Sequence, residues 1–133
     1  MTRDEVRDAT VEAAQAAGCH LALPYVVNRE TPLRFLAWRA GEPLVAGPFG
    51  LTQPASAAAP IEPDIILTPL VAFDHRLSRL GQGAGHYDRA FAAHPNARRI
   101  GVAYAVQQVA HIPADPWDVP LHAVITENDW IEA

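Results

Sequence analysis

The 133-residue sequence contains no lysine and a single cysteine, and both absences limit its chemistry. All ten basic residues are arginine, so this chain alone cannot carry a mechanism that requires a lysine amine. Cys19 has no second cysteine with which to form an internal disulfide or a zinc cage. No apolar run approaches the roughly 20 residues of a membrane helix, and the charged N-terminus lacks the apolar stretch of a signal peptide. We therefore expect a cytoplasmic protein with no membrane partner.

Composition and charge place the chain among ordinary globular proteins. Half of its residues are apolar and 19% are charged, which is unlike disordered chains. The formal net charge of −5 has no basic stripe to offset it, which argues against nucleic-acid binding. The length fits one domain over residues 1–133.

The N-terminal half predicts a helix followed by a hairpin. Apolar residues at helical spacing favour a helix over residues 2–17, with Gly18 where it stops. Two short apolar runs, 21–27 and 33–38, flank a turn and predict paired strands. Residues 44–63 are rich in glycine, proline and alanine and predict an irregular surface connection.

The C-terminal half predicts a βαβ unit. Residues 64–70 form a nearly continuous apolar run, which is typical of a strand buried on both faces of a parallel sheet. A glycine-rich segment, a helix from about His86 to Ala93 and a strand over 99–106 follow. After a proline-broken loop, residues 121–126 predict a last short strand. The expected fold is α/β, a single domain with a mostly parallel sheet flanked by helices and a β-hairpin insertion.

The segment RLGQGAGHYDR, residues 79–89, has glycine at every second position. Glycines allow backbone to approach a ligand closely, and a helix N-terminus after them favours an anion, most naturally a phosphate. Arg79 and Arg89 bracket the loop and are suited to phosphate contacts. The segment matches neither a Walker A loop nor the dinucleotide fingerprint. A tight strand-to-helix turn that binds nothing is an equal alternative on glycine spacing alone.

Two aspartates near this segment suit a divalent cation. Asp88 falls in the first turn of the predicted helix, where it either complements the helix dipole or serves as a magnesium ligand. Asp118 lies before the last predicted strand and is a turn residue by default. If the strands are parallel, the two loops meet at one sheet edge, where α/β proteins bind ligands.

Three co-linear motifs resemble the signature of the 5-formyltetrahydrofolate cyclo-ligase family, also called methenyltetrahydrofolate synthetase. The family pattern is a strand ending in P-x-V-A-F-D, then R-L-G-x-G-x-G-Y-Y-D-R, then an ending D-x-P-x-D-x-V-x-T-E. The corresponding stretches here are TPLVAFD (68–74), RLGQGAGHYDR (79–89) and DVPLHAVITE (118–127). The resemblance extends over about residues 5–131.

The resemblance implies ATP- and magnesium-dependent cyclisation of 5-formyltetrahydrofolate to 5,10-methenyltetrahydrofolate, with release of ADP and phosphate. It implies catalytic roles for Arg79 and Tyr87, magnesium binding by Asp88 and Asp118, and pterin contact by Glu5. His86 and Tyr87 match the aromatic pair that borders the substrate. The implied ATP-binding loop comprises Arg79, Leu80, Gly81, Gln82, Gly83, Ala84, Gly85, His86 and Tyr87.

The sequence also departs from the family pattern. Family members begin with a further segment that carries a lysine, an arginine and the first parallel strand, and we expect this chain to be N-terminally short. His86 stands where the family has tyrosine, and His122 stands where it has aspartate. Two alternatives therefore stay open: an inactive nucleotide- or folate-binding module, and a scaffold completed by a partner. A monomer is expected, or a dimer if a sheet edge is left unpaired.

Overall fold

The computed structural model describes residues 3–28, 30–31, 33–48, 52–81, 85–116 and 118–132. Its contacts group into two compact units. Unit 1 comprises residues 1–28 and 33–62, and unit 2 comprises residues 29–32 and 63–133. The expectation of a single domain stays a prediction beside this division. No helix among these described ranges is long and apolar enough to cross a membrane.

Unit 1 is a helix with two small antiparallel sheets. Its elements are α1 (Arg3–Ala16), β1 (Ala22–Tyr25), β2 (Arg34–Ala37), β3 (Val45–Ala46) and β4 (Thr52–Gln53). The predicted helix is confirmed, and it ends at Gly18 with φ +83°, a left-handed conformation that favours glycine. The predicted hairpin is also confirmed, since β1 pairs with β2 in antiparallel register.

The connection over residues 44–63 is less irregular than predicted. Strands β3 and β4 pair in antiparallel register inside it. The buried side-chain amide of Gln53, in β4, hydrogen-bonds both the N–H and the carbonyl of Val26 and so joins β4 to the segment after β1. The glycine and proline content concealed the strands, because each is only two residues long and depends on its partner rather than on a local pattern.

Unit 2 contains a four-stranded sheet, a short hairpin and a helix. Its elements are β5 (Ile65–Thr68), β6 (Ala72–Phe73), β7 (Arg79–Leu80), α2 (His86–Ala93), β8 (Arg98–Val102), β9 (Ala123–Ile125) and β10 (Trp130–Glu132). The order of the larger sheet is β10-β9-β8-β5. Strand β8 pairs in parallel with β5 and with β9, while β10 pairs antiparallel with β9. The mostly parallel sheet is therefore confirmed, and β5, α2 and β8 form the predicted βαβ unit.

Helix α2 matches the predicted bounds, and its inner face explains why it forms. Ala90 is completely buried and Phe91 is almost completely buried. Gly85 precedes the helix with φ +72°, so the glycine-rich segment does run into a helix N-terminus. Gln82, Gly83 and Ala84, the central loop residues, lie outside the described residues.

Two strand predictions in unit 2 need correction, and two features of the strands were not predicted. Strand β5 is not buried on both faces: Ile66 and Thr68 are buried, but Ile65 and Leu67 are 57% and 47% exposed. This alternation is that of a strand with one covered face, because successive side chains of a strand point to opposite faces of the sheet. Strand β8 ends at Val102, before a 3₁₀ turn over residues 105–107. The β6–β7 hairpin and the final strand β10 were not predicted, because two- and three-residue strands carry too little periodicity.

Candidate functional site

The candidate site lies in unit 2, where a hairpin, a helix and a loop bring charged side chains together. Arg79 begins β7, and its Nε donates a hydrogen bond to the carbonyl oxygen of Pro69 at 3.0 Å. Its guanidinium carbon lies 5.3 Å from the ring centroid of Tyr87. A cation over an aromatic face is attracted by the ring quadrupole. These two contacts hold the guanidinium in one place instead of leaving it free in solvent.

The charge of Arg79 is set by burial and by the two candidate magnesium ligands. Burial lowers the pKa of its guanidinium below the ordinary value, and the nearby Asp88, Tyr87 and Asp118 offset only part of this lowering. Arginine keeps its proton in proteins, so the side chain is a fixed cation here. Arg79, Asp88 and Asp118 are thus close enough for their charges to interact, and the roles that the motifs imply for them stay predictions.

Gly81 makes room for this cation. A Cβ atom at Gly81 would lie 2.8 Å from Nη2 of Arg79, closer than real Cβ contacts. The backbone of Gly81 is outside the left-handed region, so a side chain there would be limited by the end of the Arg79 side chain rather than by backbone conformation. Gly85 differs, because its φ of +72° favours glycine and a Cβ there would meet Nη1 of Arg89 at 3.2 Å. The two glycines thus serve different purposes in the same loop.

Tyr87 and Asp88 lie in the first turn of α2. The Tyr87 ring is half-buried and lies 6.2 Å from the ring of Phe91, and burial raises the pKa of its phenol. Tyr87 is therefore a neutral, partly covered ring beside a cation. Asp88 Oδ1 accepts the N–H of Val119 at 3.4 Å, a long hydrogen bond. This contact joins the helix to the loop that carries Asp118.

Asp118 closes a tight turn. Its Oδ2 accepts the N–H of Asp115 at 2.8 Å, and its own N–H donates to the Asp115 carbonyl at 3.0 Å. Val119 follows Asp118 directly in the chain. Its hydrogen bond to Asp88 therefore places the segments that carry Asp88 and Asp118 next to each other. No group of three or more metal-ligating side chains occurs in the part of the chain that the structure describes. Two carboxylates still suit magnesium, which is held by one or two carboxylates together with phosphates and water.

For three other predicted site residues the structure gives the position in the fold but not their side-chain contacts. His86 is the first residue of α2 and is half-buried, while Leu80 in β7 is 50% exposed. Glu5 lies on α1 of unit 1, but its side chain falls outside what the structure describes. The roles predicted for these residues stay predictions.

Sequence reasoning gave no role to one residue of this region, Asp74, although it is the last residue of the motif TPLVAFD. It is completely buried and lies directly before the hairpin turn that leads to Arg79. Apart from that motif, its signal in the sequence is a lone acid at the end of the apolar run VAF. Such a position is ambiguous, because most aspartates in turns are exposed.

The model of the 5-formyltetrahydrofolate cyclo-ligase family matches residues 1–127. The 5-formyltetrahydrofolate cyclo-ligase of Haemophilus influenzae is 39% identical over 99 residues, which are 70% of this chain and 53% of that relative. The corresponding protein of Mycolicibacterium smegmatis is 37% identical over 125 residues, 87% of this chain and 64% of that relative.

Two solved structures are similar in fold. The NMR structure of Aquifex aeolicus 5,10-methenyltetrahydrofolate synthetase has a TM-score of 0.74 at 29% identity, covering 93% of this chain and 63% of that chain. The Mycoplasma pneumoniae 5,10-methenyltetrahydrofolate synthetase has a TM-score of 0.65 at 29% identity, covering 86% and 60%. The chain spans little more than half the length of the first curated relatives it matches.

Proposed function

The chain belongs to the 5-formyltetrahydrofolate cyclo-ligase family, and from that premise we propose that it carries out, or forms the core of, ATP-dependent cyclisation of 5-formyltetrahydrofolate. The product is 5,10-methenyltetrahydrofolate, and ADP and phosphate are released. The observation that carries the proposal is the cluster of Arg79, Tyr87, Asp88 and Asp118 beside a glycine loop. We place this activity in the cytoplasm, where folate metabolism supplies the substrate.

The chemistry requires activation of a poor leaving group. The formyl oxygen attacks the γ-phosphorus of ATP, and the bond from that phosphorus to the β-bridging oxygen breaks to release ADP. The 10-nitrogen then attacks the activated carbon, loses its proton, and closes the ring as phosphate departs. Phosphoryl transfer of this kind depends mostly on positioning and charge neutralisation.

Arg79 is suited to the neutralising role. It is a fixed cation held by Pro69 and Tyr87, so little reorganisation is needed when negative charge develops nearby. The backbone N–H groups at the start of α2, together with the positive end of the helix dipole, also favour a phosphate there. Together these groups form the anion-binding half of the proposed site.

Asp88 and Asp118 are the residues that would hold magnesium. Their carboxylates lie on segments joined by the Val119–Asp88 contact and match the oxygen preference of a hard cation. When bound, magnesium would supply charge neutralisation on the ATP phosphates.

The pterin side of the site is proposed for His86, Tyr87 and Glu5. The half-buried Tyr87 ring offers an apolar face, and an imidazole at position 86 is also able to stack. A carboxylate at position 5 would accept two hydrogen bonds from an amino-pyrimidinone edge.

The partner-completed scaffold keeps one observation in its favour. Strand β5 stands at the end of the described sheet and exposes Ile65 and Leu67. An open, apolar edge strand is a surface on which another strand can pair. Light scattering of the purified chain separates the expected monomer from a dimer.

An absorbance assay tests the proposed reaction directly. The purified chain is mixed with 5-formyltetrahydrofolate, ATP and magnesium, and the near-ultraviolet absorbance of the methenyl product is followed. A rise that needs all three components establishes catalysis. A folded chain that binds MgATP without any rise would instead be the inactive binding module.

Asp88→Asn tests the metal assignment. Magnesium-dependent ATP affinity should fall by about 100-fold or more, because metal neutralisation of phosphates is worth several kcal/mol. The fold should persist, since the substitution keeps the shape of the side chain. Isothermal calorimetry with MgATP measures the affinity, and Asp64→Asn, at an exposed carboxylate of the same unit, is the matched control. Unchanged MgATP affinity in Asp88→Asn would remove Asp88 from the metal site.

A further inference from the structure

Asp74 is a completely buried carboxylate that the proposed reaction does not use. Its Oδ1 accepts the N–H groups of Arg76 and Ser78, each at 3.0 Å. Its Oδ2 accepts the N–H of Ile112, also at 3.0 Å and 38 residues away along the chain. A carboxylate is acceptor-only, so it can satisfy several backbone donors that have no strand partner. Asp74 therefore ties together two segments that lack regular structure.

The first of these segments is the turn of the β6–β7 hairpin. The Asp74 N–H donates to the Ser78 carbonyl, and the Leu77 N–H donates to the Asp74 carbonyl. Leu77 is completely buried and has φ +61°, a left-handed conformation that leucine adopts only at a cost. Bonds to the Asp74 carboxylate on both sides of Leu77 offset this cost. Arg79 follows the turn directly, so the turn geometry determines where the Arg79 backbone starts.

The second segment is the loop that carries Asp118. Among the described residues it is bonded to the hairpin at four places. Val109 N–H donates to the Phe73 carbonyl, Ile112 N–H to the Asp74 carboxylate and Leu121 N–H to the Leu77 carbonyl, and the Arg76 guanidinium lies 2.8 Å from Nδ1 of His111. Asp118 lies between the bonds of Ile112 and Leu121. The hairpin that positions Arg79 therefore also positions the Asp118 loop, and the Asp74 carboxylate is a completely buried side chain at their junction.

The charge state of Asp74 agrees with this role. Burial would raise the pKa of its carboxyl, but the N–H groups of Ile112, Ser78 and Arg76 outweigh that effect. The Arg76 guanidinium, 3.6 Å from Oδ2, adds to the lowering. The net result is a pKa below the ordinary value, so Asp74 is ionised at neutral pH.

We infer that Asp74 is a positioning residue, which holds Arg79 and the Asp118 loop in the one arrangement that binds MgATP. This inference rests on the proposed function, because it concerns the same phosphate and metal site. Asp74 itself touches neither ATP nor substrate in this account. It acts through the backbone of the turn and the loop.

Asp74→Asn is the discriminating variant. Asparagine keeps one acceptor oxygen for Arg76 and Ser78, but its amide nitrogen then faces the N–H of Ile112, donor against donor. The KM for MgATP should rise about tenfold, as expected for one orphaned buried donor, while the KM for 5-formyltetrahydrofolate stays within twofold. A purely structural role would lower the amount of active protein and leave both KM values unchanged. Asp64→Asn, at an exposed carboxylate, should change neither KM.

Two further measurements keep the inference falsifiable in every case. If Asp74→Asn does not fold, amide hydrogen exchange of Ile112 in the unaltered protein decides: slow exchange, as in the strands of the sheet, is expected, and fast exchange overturns the inference. If the unaltered protein binds no MgATP, the proposed function fails separately. In that case the amide NMR signals of Arg79 and Asp118 should still move more in Asp74→Asn than in Asp64→Asn, and equal shifts overturn the positioning role. In a folded variant, unchanged KM for MgATP overturns it as well.

Discussion

Each of the two units contains one buried polar side chain that bonds a distant backbone segment, and the two differ in chemistry. In unit 1 the Gln53 amide accepts the N–H of Val26 at 2.9 Å and donates to its carbonyl at 3.2 Å. In unit 2 the Asp74 carboxylate accepts three N–H groups. A neutral amide substitutes for a neighbouring strand, since it both donates and accepts. A carboxylate collects donors only.

This difference corresponds to the difference in architecture. Unit 1 consists of a helix and two-stranded antiparallel sheets, in which backbone donors and acceptors are lost in pairs at strand ends. In unit 2 a single ionised group, the Asp74 carboxylate, accepts N–H groups from the hairpin turn and from the loop that carries Asp118. The comparison indicates that charge contributes to the local order around Asp74, whereas the contact between Gln53 and Val26 is neutral.

The largest expected effect on stability comes from replacing Gln53, whose side-chain amide bonds Val26 in unit 1. Gln53→Leu leaves both backbone polar groups of the buried Val26 without their partner, so the free energy of unfolding should fall by about 2 kcal/mol. Chemical denaturation measures the loss. MgATP affinity of the folded variant should be unchanged, because Gln53 belongs to unit 1 and the proposed phosphate site to unit 2. A loss below about 0.5 kcal/mol would show that the amide contributes no net stability.

A smaller effect on the free energy of unfolding should appear at acidic pH, and it comes from Asp74 in unit 2. The folded-state pKa of Asp74 is below its unfolded value, so its contribution to stability is complete above about pH 4 and is lost as pH falls through the folded pKa. The free energy of unfolding should therefore fall more steeply below pH 4 in the unaltered protein than in Asp74→Asn. Gln53→Leu, which removes no titratable group, should keep the steep dependence. The same pH dependence of the free energy of unfolding in all three proteins would contradict the assignment of a negative charge to Asp74.

The smallest expected effect on stability is that of Gly81→Ala, although its effect on binding is large. The new Cβ meets the far end of the Arg79 side chain rather than backbone, so stability should stay within about 0.5 kcal/mol while the guanidinium moves and MgATP affinity falls several-fold. Gly41→Ala in unit 1 is the opposite control. Its φ of +90° strains any side chain, but nothing lies within 4 Å of the new Cβ, so stability should fall by about 1 kcal/mol with affinity unchanged. Equal MgATP affinity in the two variants would remove Gly81 from the site.

Local patterns were sufficient for the regular elements but not for the short ones. Helix α2 and the parallel pairing of β5 with β8 could be predicted because periodicity and apolar runs span four to eight residues. Strand β10 could not, since its three residues are strand only by virtue of pairing with β9. The exposure of Leu67 could not be predicted either, because an apolar run does not reveal whether both faces of its strand are covered.

The candidate site divides in the same way. Its residue types around the glycine segment, with Asp88 and Asp118, could be named from spacing and family resemblance. The hydrogen bond from Arg79 to Pro69 and the contact of Asp88 with Val119 could not, because they join segments 10 and 31 residues apart. Asp74 shows the limit most clearly, since burial and three N–H partners distinguish it from an ordinary turn aspartate.

The sequence by itself therefore determined the family, the α/β class and the motif residues, because these depend on residue identity and short-range order. Tertiary structure alone decided that Asp74 is buried, that Arg79 occupies the space where a side chain at position 81 would lie, and that the Asp118 loop is bonded to the hairpin. The physical reason is that burial, hydrogen-bond partners and local charge are properties of the whole surrounding of a side chain, and chain neighbours supply only part of it.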